Sequence, residues 1–187
     1  LASGQDTVLY QPAVERNFQD AVRLFQGHSY QAAFAIFERI VDQRENTHRT
    51  SASYVMAAKS LYYLGEYRSS VTLLRKFLDR FEKSEYVDDA VYTLGLDFYQ
   101  LEQYKESAGS FLKVRQISGD TVLAARAEKM LGMAASTNLE IPDLRELLRD
   151  ANQPVTKALV TLLLAEKVLR TGDARGARDL LGTVLAL

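Results

Sequence analysis

The chain repeats itself at a fixed spacing, and that spacing restricts the possible folds more than any other feature of the sequence. Within YVDDAVYTLGLDFYQLEQYKESAGSF, residues 86–111, the pattern runs Leu94-Gly95, Phe98-Tyr99, Tyr104, Ser107 and Phe111. Shifting back 37 residues gives Ala57-Ala58, Leu61-Tyr62, Tyr67, Ser70 and Leu74, and another 37 gives Asp20-Ala21, Leu24-Phe25, Tyr30, Ala33 and Phe37. Shifting forward 37 gives Leu131-Gly132, Ala135, Ile141, Leu144 and Leu148. A fifth copy follows after 33 residues, with Leu164-Ala165, Val168, Gly172-Asp173, Ala177 and Leu181. A unit of this length cannot bury its apolar face alone, so the copies must stack.

Each copy reads as two helices and a turn. Phe18, Ala21, Val22, Leu24 and Phe25 recur at the spacing of one helical face, and Tyr30, Ala33, Phe34, Phe37, Ile40 and Val41 form a second such set after Gly27-His28-Ser29. Gly65 stands between the next two helices, where a left-handed residue stops a helix at least cost. Asp120 is placed to cap a later one. Pro12, Pro142 and Pro154 all fall in expected first turns, where the missing N–H is no loss. No stretch alternates with period two, so the expected class is all-α, with repeats at about 14–50, 51–87, 88–124, 125–157 and 158–187. Residues 1–11 are polar and are expected to be a flexible lead-in to a domain spanning 12–187.

Small residues at the eighth position of each first helix, Ala21, Ala58, Gly95, Gly132 and Ala165, are expected to let helix backbones approach closely. Tyr30, Tyr67, Tyr104, Phe37, Leu74 and Phe111 then fill the space between pairs. The final helix, from about residue 174, carries Leu180, Leu181, Val184, Leu185 and Leu187 around more than one face. A terminal unit needs a polar outer face, so a continuation of the chain or a second copy, as in a homodimer through this helix, is expected to cover it.

Charge and composition exclude several functions. With 23 basic against 24 acidic residues the net charge is −1, which leaves no basic excess to neutralise a nucleic-acid backbone. The chain has no cysteine, which removes disulfides, Cys-ligated zinc and thiol chemistry. The longest apolar run, 158–165, is far short of the roughly 20 residues needed to span a bilayer. The chain begins at Leu1 and lacks a signal-peptide pattern, so it is expected to start inside a longer gene product, a processed or lipidated start being compatible with that.

Catalytic readings find little support. Ser110-Phe111-Leu112-Lys113 has the S-x-x-K spacing without its companion motifs, and Phe111 is already explained as core. His28 and His48, the only histidines, lie in expected turns without a helical ligand partner, and Asp88-Asp89 suits a helix start, where the dipole favours acids. No phosphate-binding glycine loop occurs. The reading is therefore of a non-enzyme with no metal and no cofactor.

Leu94-Gly95, Tyr99, Tyr104, Ser107 and Phe111, with Leu64-Gly65-Glu66-Tyr67 before and Gly172-Asp173-Ala174 after, resemble tetratricopeptide (TPR) repeats over about 14–187. Phe81, Ser84, Tyr86, Ala90, Tyr92 and Gly95 match the repeat junction of bacterial envelope members, with Glu82 at that motif's proline. Those members include the lipoprotein of outer-membrane β-barrel assembly and the Tol-Pal coordination protein. The resemblance implies a right-handed α-solenoid of five helix pairs whose first helices line a concave surface. Carried onto this sequence, the surface positions are Phe18, Val22, Phe25, Val55, Lys59, Tyr62, Tyr63, Asp89, Tyr92, Leu96, Tyr99 and Gln100, followed by Arg126, Lys129 and Met133. A solvent-facing groove this apolar and aromatic is expected to take a peptide or helix of a partner protein, unless another part of the same protein fills it. The implied setting is the periplasm, at the outer membrane if a lipid outside this chain tethers it. The alternative is a structural or oligomerising repeat domain of a larger periplasmic protein, such as a lipoprotein activator of peptidoglycan synthases.

Overall fold

The computed structural model describes residues 9–43 and 46–185. Ten α-helices occupy them: α1 Pro12–Gln26, α2 Tyr30–Val41, α3 Thr50–Tyr63, α4 Tyr67–Arg80, α5 Val87–Gln100, α6 Tyr104–Ile117, α7 Thr121–Asn138, α8 Ile141–Asp150, α9 Pro154–Arg170 and α10 Ala174–Val184. All three prolines sit at the first or second helical position, as their fixed φ favours. Asp120 accepts hydrogen bonds from the backbone N–H groups of Val122 and Leu123 at 2.8 and 3.2 Å, and Asp173 does the same for Gly176 at 2.8 Å. The fold is an all-α, TPR-like solenoid. It divides into two compact units, residues 1–93 and 94–187, the division falling within the sequence of α5.

In the first unit α1 packs on α2, α2 on α3 and α3 on α4. Its core gathers Val14, Phe18, Ala21, Ala33, Phe37, Ile40, Ala52 and Ala57. In the second unit α6 packs on α7, α8 on α9 and α9 on α10, while α7 also touches α9. The repeat register recurs as a hydrogen bond: Ser70 Oγ donates to the Ala58 carbonyl at 3.1 Å and Ser107 Oγ to the Gly95 carbonyl at 2.8 Å. These buried hydroxyls join the two helices of repeats two and three. Gly95 is required by contact, since a Cβ there would stand 2.7 Å from Phe111 Cε1. Gly132, grouped with it by sequence, has open space where its Cβ would be and is not needed for close packing.

The turns share one device. His28, Gly65, Glu102 and Gly172 all have φ between 60° and 89°, and each lies two residues before the start of a second helix. In the first repeat the left-handed residue is therefore His28, whereas Gly27 has an ordinary φ of −80°. A side chain at a left-handed position costs about 1 kcal/mol or more relative to glycine. Glu102→Gly is accordingly expected to raise stability by about 0.5–1 kcal/mol, read as a higher urea midpoint.

Leu9 and Tyr10, expected in the flexible lead-in, are tied down, while residues 1–8 of that segment lie outside the described residues. Leu9 N–H donates to the Asn46 carbonyl at 3.3 Å, His48 N–H donates to the Leu9 carbonyl at 3.2 Å, and Tyr10 packs on the His48 ring at 4.5 Å. Beneath them Arg49 grips Glu15 with two 2.7 Å hydrogen bonds, His48 Nε2 lies 2.7 Å from the same carboxylate, and the guanidinium covers the Phe18 ring at 4.6 Å. Hydrogen bonds from Arg49, then Gln19 and His48, hold the Glu15 carboxyl well below the usual carboxylate range. A carboxyl depressed in this way contributes stability above its ordinary value of 4.5, and that contribution disappears as pH falls through the lower folded value. Glu15→Gln is expected to lower the urea midpoint at pH 7. The gap between wild type and variant should close on acidification below the ordinary carboxylate value.

Candidate functional site

The left-handed residues His28 and Gly65 bring aromatic rings together at one end of the first unit. Tyr63, at the last position of α3 and 56% exposed, stacks on Tyr30 at 4.6 Å with the rings 10° from parallel. Phe25 meets both edge-on, at 5.2 Å from Tyr30 and 5.6 Å from Tyr63. Tyr62 stands edge-on to Tyr63 at 5.4 Å and continues to Tyr67 at 5.6 Å. The Tyr30 hydroxyl shares a 2.7 Å hydrogen bond with His28 Nδ1, which fixes the base of the stack. Edge-on and offset contacts of this kind are favourable beyond their buried area, so the cluster is a preassembled apolar platform.

The surface positions that the resemblance implies fare unevenly. Phe18 and Val55 are corrections: both are buried in the core of the first unit and face no open surface. Phe18 is covered by Phe37 and the Arg49 guanidinium, and Val55 lies on a helix packed against both α2 and α4. Lys59 is engaged by Asp89 at 2.5 Å. Val22, Phe25, Tyr62 and Tyr92 are half-buried in the first unit, where Tyr63 is the one exposed position of the set. In the second unit Leu96 and Tyr99 are half-buried, Tyr99 meeting Tyr104 edge-on at 5.4 Å. Tyr30 and Tyr67 were read as core fillers, yet they take part in the platform. Their position directly after each turn is the signal that could have placed them there.

The sequence reading also missed α9. Val155, Leu162 and Leu169 recur every seven residues along one side of this helix and are all exposed, the last two by 47% and 55%. The opposite side, Val160, Leu164 and Val168, is buried. A helix apolar on both sides is ordinarily enclosed, so PVTKALVTLLLAEKVLR already carried the signal. Glu166, the acid in the exposed stripe, is paired with Arg170 at 2.6 Å. On α7, Val122, Arg126, Lys129 and Met133 form a comparable exposed row.

The groups weighed for chemistry are engaged locally. Ser110 Oγ donates to the Glu106 carbonyl of its own helix at 2.8 Å, and Lys113 is exposed. Among the described residues no three His, Asp or Glu side chains converge as a metal site, and no helix is long and apolar enough to cross a membrane.

No protein-family model and no curated protein matches the sequence. Solved structures do match the fold. A MamA RS-1 double mutant is similar with a TM-score of 0.60 at 17% identity, covering 94% of each chain. A Podospora anserina kinesin light chain with nearly identical TPR-like repeats gives 0.58 at 17%, covering 93% of this chain and 94% of its own. MamA from Desulfovibrio magneticus RS-1 gives 0.56 at 18%, covering 95% and 96%. At such identities the likeness establishes the TPR-like fold and nothing finer.

Proposed function

We propose that this chain is a non-catalytic adaptor that binds a peptide or helix of a partner protein. The observation that carries the reading is the exposure of large apolar side chains at ordered helical positions, Tyr63 on α3 and Val155, Leu162 and Leu169 on α9. Contiguous apolar surface of this kind marks partner sites, and rigid aromatic anchors supply most of the affinity at them. The platform residues Phe25, Tyr62 and Tyr63 are the anchors in the first unit. Tyr92 is a further surface residue of the first unit, and Leu96 and Tyr99 are proposed contact residues of the second. A setting in bacterial envelope assembly, with a lipid tether outside this chain, rests on the 81–95 junction described above.

The reading is tested by panning a random dodecapeptide display library against the protein and measuring the enriched peptides by fluorescence anisotropy. Removal of an aromatic or aliphatic anchor is expected to weaken binding about tenfold or more. Tyr63→Ala and the pair Leu162→Asp with Leu169→Asp, checked for unchanged helicity, will show which face binds. No enrichment, or equal binding by all three proteins, would refute the adaptor reading.

A second reading, a structural or oligomerising repeat domain, is favoured by α10. Leu181 occupies the register position of Phe37, Leu74 and Phe111, which are all fully buried, yet it is 44% exposed, and Leu185 is 91% exposed. A homodimer through this helix belongs to that reading, and Leu187, named with them, lies outside the described residues.

A further inference from the structure

We propose that α10 of one copy docks in the cleft between α2 and α4 of a second copy, so that the chain associates head to tail. The inference rests on the oligomerising reading and is independent of the adaptor surface. Ala174, Arg178, Leu181 and Leu185 stand at i, i+4, i+7 and i+11, which places them in one row along α10, and all four are exposed. Arg175 flanks the row, and Asp179 lies round the helix from it. The docking element is thus a pair of leucines with two arginines beside them, neither arginine taking part in an ion pair among the described residues.

The receiving cleft has the complementary character. It measures about 520 Å³, with Phe34 of α2 and Leu73 of α4 as walls and Tyr54 and Leu61 of α3 at its base. Glu38, Asp42 and Glu66 stand on the rim against one base, Lys76. Glu66 precedes α4, where its charge suits the helix dipole. Glu38 and Asp42 lie at the C-terminal end of α2, where the dipole disfavours acids. Among the described residues neither forms an ion pair, and a cationic partner would supply one. Simple end-to-end stacking is disfavoured because Arg16, Asn17, Gln19, Asp20 and Arg23 make the outer side of α1 polar.

The two surfaces differ, so the contact is heterologous and propagates from copy to copy. One helix edge in one cleft buries less than the roughly 1,000 Å² of a stable dimer, which makes the association weak and concentration-dependent. Its charged part is screened by salt.

Sedimentation velocity of the full chain tests this. The weight-average mass should rise steadily above 21.0 kDa as the wild type is concentrated, and should fall back when salt is raised. Two exposed charge reversals separate the partners: Arg175→Glu with Arg178→Glu on the docking helix, and Glu38→Lys with Asp42→Lys on the cleft. Each variant alone should stay at the monomer mass, and their mixture should regain association, because each reversed surface then meets its complement. A wild type that remains monomeric at the highest concentration would overturn the proposal. So would a cleft variant that associates like wild type, which would indicate a symmetric α10–α10 contact or another occupant, and so would a mixture that stays monomeric. Peptide binding at Tyr63 is unaffected by these substitutions, so failure here leaves the adaptor reading standing.

Discussion

Gly95→Leu is expected to destabilise the protein by about 3 kcal/mol or more. The Phe111 ring is fully buried and three of its carbons lie within 3.0 Å of where a Cβ at position 95 would be. The ring cannot move aside without opening the contact that Ser107 fastens to the Gly95 carbonyl. Overpacking of this kind costs about 1–3 kcal/mol for added methylenes in a core that can adjust, and more where it cannot. Gly132→Ala supplies the contrast, because nothing lies within 4 Å of its Cβ position and the residue is inside α7. That substitution is expected to stabilise by up to about 1 kcal/mol through helix propensity alone. Urea denaturation of the three proteins decides the matter. An unchanged midpoint for Gly95→Leu would show that the close contact is not there.

Leu74→Ala and Leu181→Ala should differ several-fold although they are the same substitution at the same register position of two repeats. Leu74 is fully buried, so its truncation leaves a cavity and is expected to cost about 2–5 kcal/mol. Leu181 is 44% exposed, and at low protein concentration its truncation should cost less than about 1 kcal/mol. Equal losses would mean that something covers Leu181 even in dilute solution.

The repeat register made most of the architecture legible, because a 37-residue spacing fixes where helices begin, where they turn and which positions face inward. Tyr30, Tyr67 and Tyr104 do open their helices, and Phe37, Leu74 and Phe111 are buried together with the serines that follow the same spacing. The surface was less legible. Phe18 and Val55 share a helical stripe with the half-buried Val22 and Lys59, and only the packing of neighbouring helices decides that they are fully covered. In α9 both sides are apolar, and only the packing on α8 and α10 decides which of the two is left exposed. In the first repeat the left-handed residue is His28 and not the neighbouring Gly27, because a glycine is only a permission and the turn is set by where the next helix starts.

The graded burial of one register position, complete at Phe37, Leu74 and Phe111 and half lost at Leu181, bears on how the second unit comes apart. In a stacked array each layer is held by its neighbours, so stability is a sum of nearest-neighbour terms. With α10 resting on α9 and its outer leucines in water, opening begins at α10 and advances inward by layers. The molecule is therefore a ladder of local equilibria, and whatever occupies the outer side of α10 acts as a brake on the first rung.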